Sequence, residues 1–199
     1  VGLQTKYFIT SLLDTGNFSV YSLGGAIKHP NYQALKTEEY EEDWIIQPVD
    51  GYGNQDVLRS AVRNFRPDII WFMTDPRWEI ENELRAAASL VYYHVWDNFP
   101  YPNYNKTFYD STDTIVTISK LTSNIVKTVS PDTDERYLPH AVPTDIFKKL
   151  EDAYVANFRK DNLNIDEDNF LIYWTNRNAR RKQSGSLLFW FKKFLDKLE

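Results

Sequence analysis

An α/β fold, with a doubly wound parallel sheet over residues 1–147, is what the sequence predicts. Three observations predict it. Short apolar runs alternate with amphipathic stretches of about ten residues, the pattern of repeated βα units. The runs are nearly continuous in apolar character, as strands buried on both faces require. Proline, glycine and asparagine punctuate the junctions between them.

The elements follow in order. Residues 3–13, LQTKYFITSLL, read as a helix that Gly16 ends. Phe18 to Leu23 reads as a strand running into Gly24-Gly25. Residues 26–43 are polar and read as irregular, with a solvated acidic cluster, TEEYEED. WIIQPV (44–49) is the next strand, and Asn54 is placed to cap the helix DVLRSAVRNF. Pro67 punctuates that helix before the strand Ile69 to Met73. A helix over 79–88, a strand over Leu90 to Val95, a short helix over 105–112 and a strand over Thr114 to Ile118 complete the alternation. A helix over 121–129 and a short strand over 136–138 follow.

Residues 148–168 are highly charged and read as a linker with a short helix. Phe170 to Trp174 then reads as a strand, followed by a basic turn and a helix with apolar positions Leu187, Leu188, Phe191, Phe194 and Leu195. Residues 169–199 are thus expected to begin a second domain, and both ends of the chain read as cut.

Composition narrows the function classes. Of 199 residues, 42% are hydrophobic and 26% charged, as in an ordinary globular protein. A net charge of −5 without a long basic run makes nucleic acid a poor partner. The absence of cysteine excludes a disulfide scaffold, a thiolate zinc site and a cysteine nucleophile, and fits a cytoplasmic setting. Aromatics reach 16%. They read first as core filling, with sugar stacking as the functional alternative. No apolar stretch approaches the ~20 residues of a membrane span, and no signal peptide is visible. The tripeptides Asn17-Phe18-Ser19 and Asn105-Lys106-Thr107 match glycosylation acceptors, a pattern that also arises by chance.

Ligands of doubly wound sheets bind beyond the C-terminal ends of the strands. The loops to watch are therefore 74–78, 94–104 and 119–120. His94 ends an apolar strand, where it can donate to a sugar hydroxyl or serve as a structural histidine. Asp75, Arg77, Trp78, Trp96 and Asp97 fall on neighbouring loops and together make acceptor-cleft candidates, although such residues are common in any polar loop. The run Asn176-Arg177-Asn178-Ala179-Arg180-Arg181-Lys182 clusters four cations at a strand-to-helix turn. Cations normally avoid a helix N-terminus, so an anion such as a diphosphate would explain them; a solvated basic turn is the bland alternative. Three histidines (His29, His94, His140), spaced far apart, give no metal triad.

The ordered segments PDIIWFMT, LVYYHVWD, STDTIVTISKLTSNIVK, YLPHAVPTDIFKK and FLIYWTNRNARRKQ resemble the retaining glycosyltransferases of family four, which have the GT-B fold. The resemblance spans roughly residues 55–195. It implies two Rossmann-like domains: an acceptor-side domain over 1–147, its first strand missing, a linker over 148–168, and the start of a donor-side domain over 169–199. It also implies transfer of a sugar from a UDP- or GDP-sugar to an acceptor hydroxyl with retention and without a metal. The nucleotide sugar is then a substrate and no cofactor is needed. The acceptor would be a saccharide, a lipid-linked or a protein group, with peripheral membrane contact allowed. By the match to the family's "GRlxxxKG" element, Arg177 and Lys182 would bind the donor diphosphate. Gly2 would approach the phosphates, His94 the donor sugar, and Ser119 would be mainly positional. The chain departs from the pattern at Asn176 and Gln183, where the family has glycine, and at His140-Ala141, where it has Asn-Gly. The family's acidic "E-x7-E" element is expected beyond Glu199. The alternatives are another GT-B enzyme, inverting or an epimerase, with Asp75 or Asp97 as base, or a non-catalytic carbohydrate- or partner-binding module.

Overall fold

The structure, a computed structural model, describes residues 2–25, 29–51, 54–73, 81–96, 101–166 and 168–198, with the backbone alone at 81 and 82. The chain divides into two compact units, Val1–Val142 and Pro143–Glu199.

The first unit is α/β. α1 (Gly2–Leu13) leads into β1 (Val20–Gly24) through a turn in which Gly16 takes φ 68°, a left-handed conformation that suits glycine. β2 (Leu35–Thr37) and β3 (Glu41–Pro48) follow, then α2 (Gln55–Phe65) and β4 (Ile69–Phe72). Asn54 caps α2 by accepting the Val57 amide at 2.9 Å, as its position predicts. At the other end Arg66 turns left-handed, and Pro67 prevents continuation. α3 (Glu81–Ala87), β5 (Ser89–His94), α4 (Lys106–Asp110), β6 (Thr114–Thr117), α5 (Lys120–Val129) and β7 (Glu135–Tyr137) complete the unit.

All five major strands form where the apolar runs lie, but they occupy two sheets rather than one. β4-β5-β6-β7 is a four-stranded sheet, parallel throughout. β1-β3-β2 is a separate three-stranded sheet in which β1 and β3 are parallel and β2 is antiparallel to β3. The antiparallel strand arises within residues 26–43, read above as irregular. Leu35 and Lys36 pair with Ile46 and Ile45, and a register shift carries Thr37 to Glu41. The mixture of polar and apolar residues there suits an edge strand with one exposed face, which is why periodicity did not reveal it.

The main core lies against the parallel sheet. Leu90, Tyr92, Ile115, Tyr109, Ile125 and Val126 are buried together with Leu58, Phe72, Leu84 and Val129. Ile9 and Leu13 of α1 form a smaller cluster with Trp44 of β3.

In the second unit, α6 (Asp152–Leu163) occupies the segment read as a linker, and α7 (Ser184–Leu195) is the helix expected near the end. The strand expected over Phe170 to Trp174 is absent. These residues pair with no strand, and Phe170 and Tyr173 are 90% and 78% exposed. An apolar run becomes a strand only with a ladder partner for its backbone, and none is available among the described residues of this unit.

Candidate functional site

β4, β5 and β6 run parallel, so His94 and Thr117 end side by side, while Phe72 ends beside Tyr92, two residues short of His94. The chain leaving each strand emerges at one edge of the sheet, at Met73, at Val95-Trp96 and at Ile118-Ser119. Asp75, Arg77, Trp78 and Asp97 lie outside the described residues, as does most of the loop after Met73.

Ser119 holds the third loop in place. Its hydroxyl accepts the Thr122 amide at 3.1 Å and caps α5. The Thr122 hydroxyl in turn donates to the Trp96 carbonyl at 2.9 Å, tying the loop after β5 to the start of α5. The positional role expected of Ser119 therefore has a geometric basis. Trp96 is half-buried against the core, and its ring lies parallel to that of His94 at 5.9 Å.

His94 does not line an open cleft. It is fully buried, 0% exposed, between the rings of Tyr92, Trp96 and Tyr109. Burial pushes its imidazole down to about 4, so it is neutral at neutral pH. Nε2 lies 2.6 Å from the Tyr109 hydroxyl, whose own ionisation burial pushes up to about 12. Asn105 donates to the same hydroxyl oxygen at 3.4 Å. The Tyr109 hydroxyl thus meets both the Asn105 amide and His94 Nε2, and the imidazole tautomer sets which of the His94–Tyr109 pair donates. Nδ1 has no hydrogen-bond partner among the described residues, nor has the Trp96 indole nitrogen. This enclosure is that of a structural histidine, since an apolar strand buries its terminal residue as readily as its middle ones.

The opposite face of the sheet carries an arrangement the sequence reading missed. Phe8 stacks on Trp71 at 4.1 Å, Trp71 on Tyr93 at 5.5 Å, and Tyr93 on His140 at 5.5 Å. The Tyr93 hydroxyl donates to the Leu138 carbonyl at 2.9 Å, fixing the segment that presents the exposed His140. The signal was present in the strands themselves. Trp71 and Tyr93 take alternate positions from Phe72 and Tyr92, which face the core, so aromatics line both faces.

Gly2 is the first residue of α1, and a Cβ there would meet nothing within 4 Å. No close approach in this structure requires glycine at that position. In the second unit, Arg180 to Lys182 form a 3-10 turn, Gln183 turns left-handed, and α7 begins at Ser184. The helix thus starts later than the position near Arg181 expected from sequence. Arg177, Arg180 and Arg181 are exposed and Lys182 is half-buried, and among the described residues none of the four makes an ion pair. The first turn of α7 has no side-chain cap, which leaves its leading amides unpaired.

No group of three or more His, Asp or Glu among the described residues is placed to hold a metal ion, and no described helix is long and apolar enough to cross a membrane. Comparison with protein-family models, with curated proteins and with solved structures finds no match.

Proposed function

We propose that this chain carries the acceptor-side domain and the first part of the donor-side domain of a retaining glycosyltransferase that uses a UDP- or GDP-sugar. The observation that carries the proposal is the basic turn before α7. Four cations without carboxylate partners precede a helix whose first amides are uncapped, an arrangement suited to an anion. The parallel α/β sheet and the order of the segments quoted above support the same function.

In the proposed reaction the bond from the anomeric carbon to the diphosphate oxygen breaks. The acceptor oxygen bonds to that carbon on the same face, and its proton passes to the departing phosphate. Arg177 and Lys182 stabilise the negative charge that gathers on the diphosphate as it leaves. His94, enclosed and neutral, holds Tyr109 and Trp96 beneath the strand ends rather than acting as a base, and contact with the sugar falls to the loops after β4 and β5. The burial of His94 also favours a second reading, a non-catalytic carbohydrate-binding module built on the same sheet.

Release of UDP or GDP on mixing the full-length protein with a nucleotide sugar and an acceptor separates the two. Release with retention of anomeric configuration supports the transferase. Binding of carbohydrate without nucleotide release under any donor supports the module.

A further inference from the structure

We infer that Tyr104, with Trp96, Leu121 and Asn124 around it, forms a stacking subsite for an uncharged pyranose ring at the C-terminal edge of the parallel sheet. Tyr104 is 75% exposed, the most exposed aromatic side chain among the described residues of the first unit. Its ring meets that of Trp96 edge-on at 6.1 Å. So little burial gives the fold almost nothing. An aromatic ring held out in water at a strand-end edge, where ligands of such sheets bind, is placed for a ligand instead.

The backbone that presents the ring is firmly held. Pro102 is fully buried, and Asn105 is 6% exposed and donates to the Tyr109 hydroxyl. Between them, the Asn103 amide bonds the Tyr101 carbonyl at 2.9 Å and the Asn105 amide bonds the Pro102 carbonyl at 2.8 Å. Tyr104 therefore sits on a 3-10 turn, Asn103–Asn105, pinned at both ends. Only its side-chain torsions need settling when a ligand arrives, which keeps the entropic cost of stacking low.

The surroundings define the chemistry of the occupant. The Trp96 carbonyl accepts the Thr122 hydroxyl, which brings the first turn of α5 beside the platform. Leu121 and Asn124, three residues apart, share one side of that helix. Leu121 is 52% exposed and extends the apolar surface. Asn124 donates to the Tyr101 hydroxyl at 3.2 Å, and among the described residues its Oδ1 accepts nothing, so it can take a hydroxyl proton. In the ring stack below, Trp96 Nε1 and His94 Nδ1 are buried without partners, and a hydroxyl-rich ligand, or a water ordered under it, supplies what they lack. Aromatic and aliphatic surface with a few uncharged polar groups suits a sugar ring, apolar on its C–H face and hydroxylated at its rim. Lys120, exposed at the start of α5, is the neighbouring cation in the chain. The inference rests on the carbohydrate binding common to both readings above, and sugar transfer is not required for it.

Nuclear magnetic resonance of the nitrogen-15-labelled chain tests it. Neutral oligosaccharides of glucose, mannose, galactose and N-acetylglucosamine are titrated in turn, and UDP and GDP separately. The Trp96 indole signal, assigned among six tryptophans by Trp96→Phe, is expected to shift with at least one of the oligosaccharides. Tyr104→Ala should weaken that binding about tenfold or more and Tyr104→Phe by no more than about twofold. No shift with any oligosaccharide overturns the inference, and the wild-type titration decides this whether or not the variant folds. Undiminished binding by Tyr104→Ala also overturns it. So does a shift with UDP or GDP alone, which would make the platform a nucleobase site. Because no donor is mixed with acceptor, a failure of the transferase reading leaves this outcome untouched.

Discussion

Replacing His94 by phenylalanine is expected to remove a large part of the protein's acid sensitivity. The magnitude follows from the enclosure of the ring. In the unfolded chain an imidazole takes up a proton below about pH 6.5; in the fold, burial holds His94 neutral down to about 4. Between those values the unfolded state binds the extra proton, so stability falls as pH falls through 6.5 and the loss is complete near the folded value. At about 1.4 kcal/mol per pH unit, the full loss is about 3 kcal/mol. Above pH 6.5 the group costs nothing through this route. His94→Phe keeps an aromatic ring between Tyr92, Trp96 and Tyr109 but cannot protonate. At neutral pH the variant loses instead the hydrogen bond between the ring and the Tyr109 hydroxyl, about 1 kcal/mol, while Asn105 still donates to that oxygen.

The assay is urea unfolding of both proteins near pH 7 and near pH 4.5, followed by tryptophan fluorescence. Carboxylates titrate in both, so the difference between the two pH dependences isolates His94. Wild type is expected to lose about 2–3 kcal/mol more than the variant across that interval. Parallel pH profiles would refute the reasoning. So would an NMR titration placing His94 near 6.5, which would mean that water reaches the ring. With three histidines in the chain, the resonances can be assigned by substitution.

Arg177→Ala and Lys182→Ala are each expected to reduce nucleotide-sugar turnover by roughly tenfold to a few hundredfold in the full-length protein, with Arg180→Ala and Arg181→Ala much milder; equal small effects in all four would reduce the cluster to a solvated turn. Ser119→Ala removes the cap of α5 and should cost about 1 kcal/mol in chemical unfolding, with Ser119→Asp recovering most of it. Glu135 is held below the ordinary carboxylate range: burial pushes it up, but hydrogen bonds from Thr117, Lys127 and Ser123 outweigh that. Its contribution to stability is present above its unfolded value and lost as pH falls through the folded one, so Glu135→Gln should unfold more readily at neutral pH and show a flatter acid limb below about pH 4.5.

Much of the first unit was legible because its elements are set by local chemistry. Asn54 and Ser119 cap helices for the reason their side chains predict. The runs ending at Phe72, His94 and Thr117 are strands because continuous apolar character matches burial between helix layers. What the sequence hid depends on partners distant in the chain. Whether β1 and β4 share a sheet is decided by backbone pairing, to which side-chain pattern is blind. Whether His94 meets water is decided by Tyr109, fifteen residues away, and the spacing along β5 carries no trace of it. Phe170 to Trp174 has the composition of a strand, yet composition cannot supply a neighbour. The basic turn lay where expected, but its backbone did not, because Gln183 adopts a left-handed conformation that postpones α7.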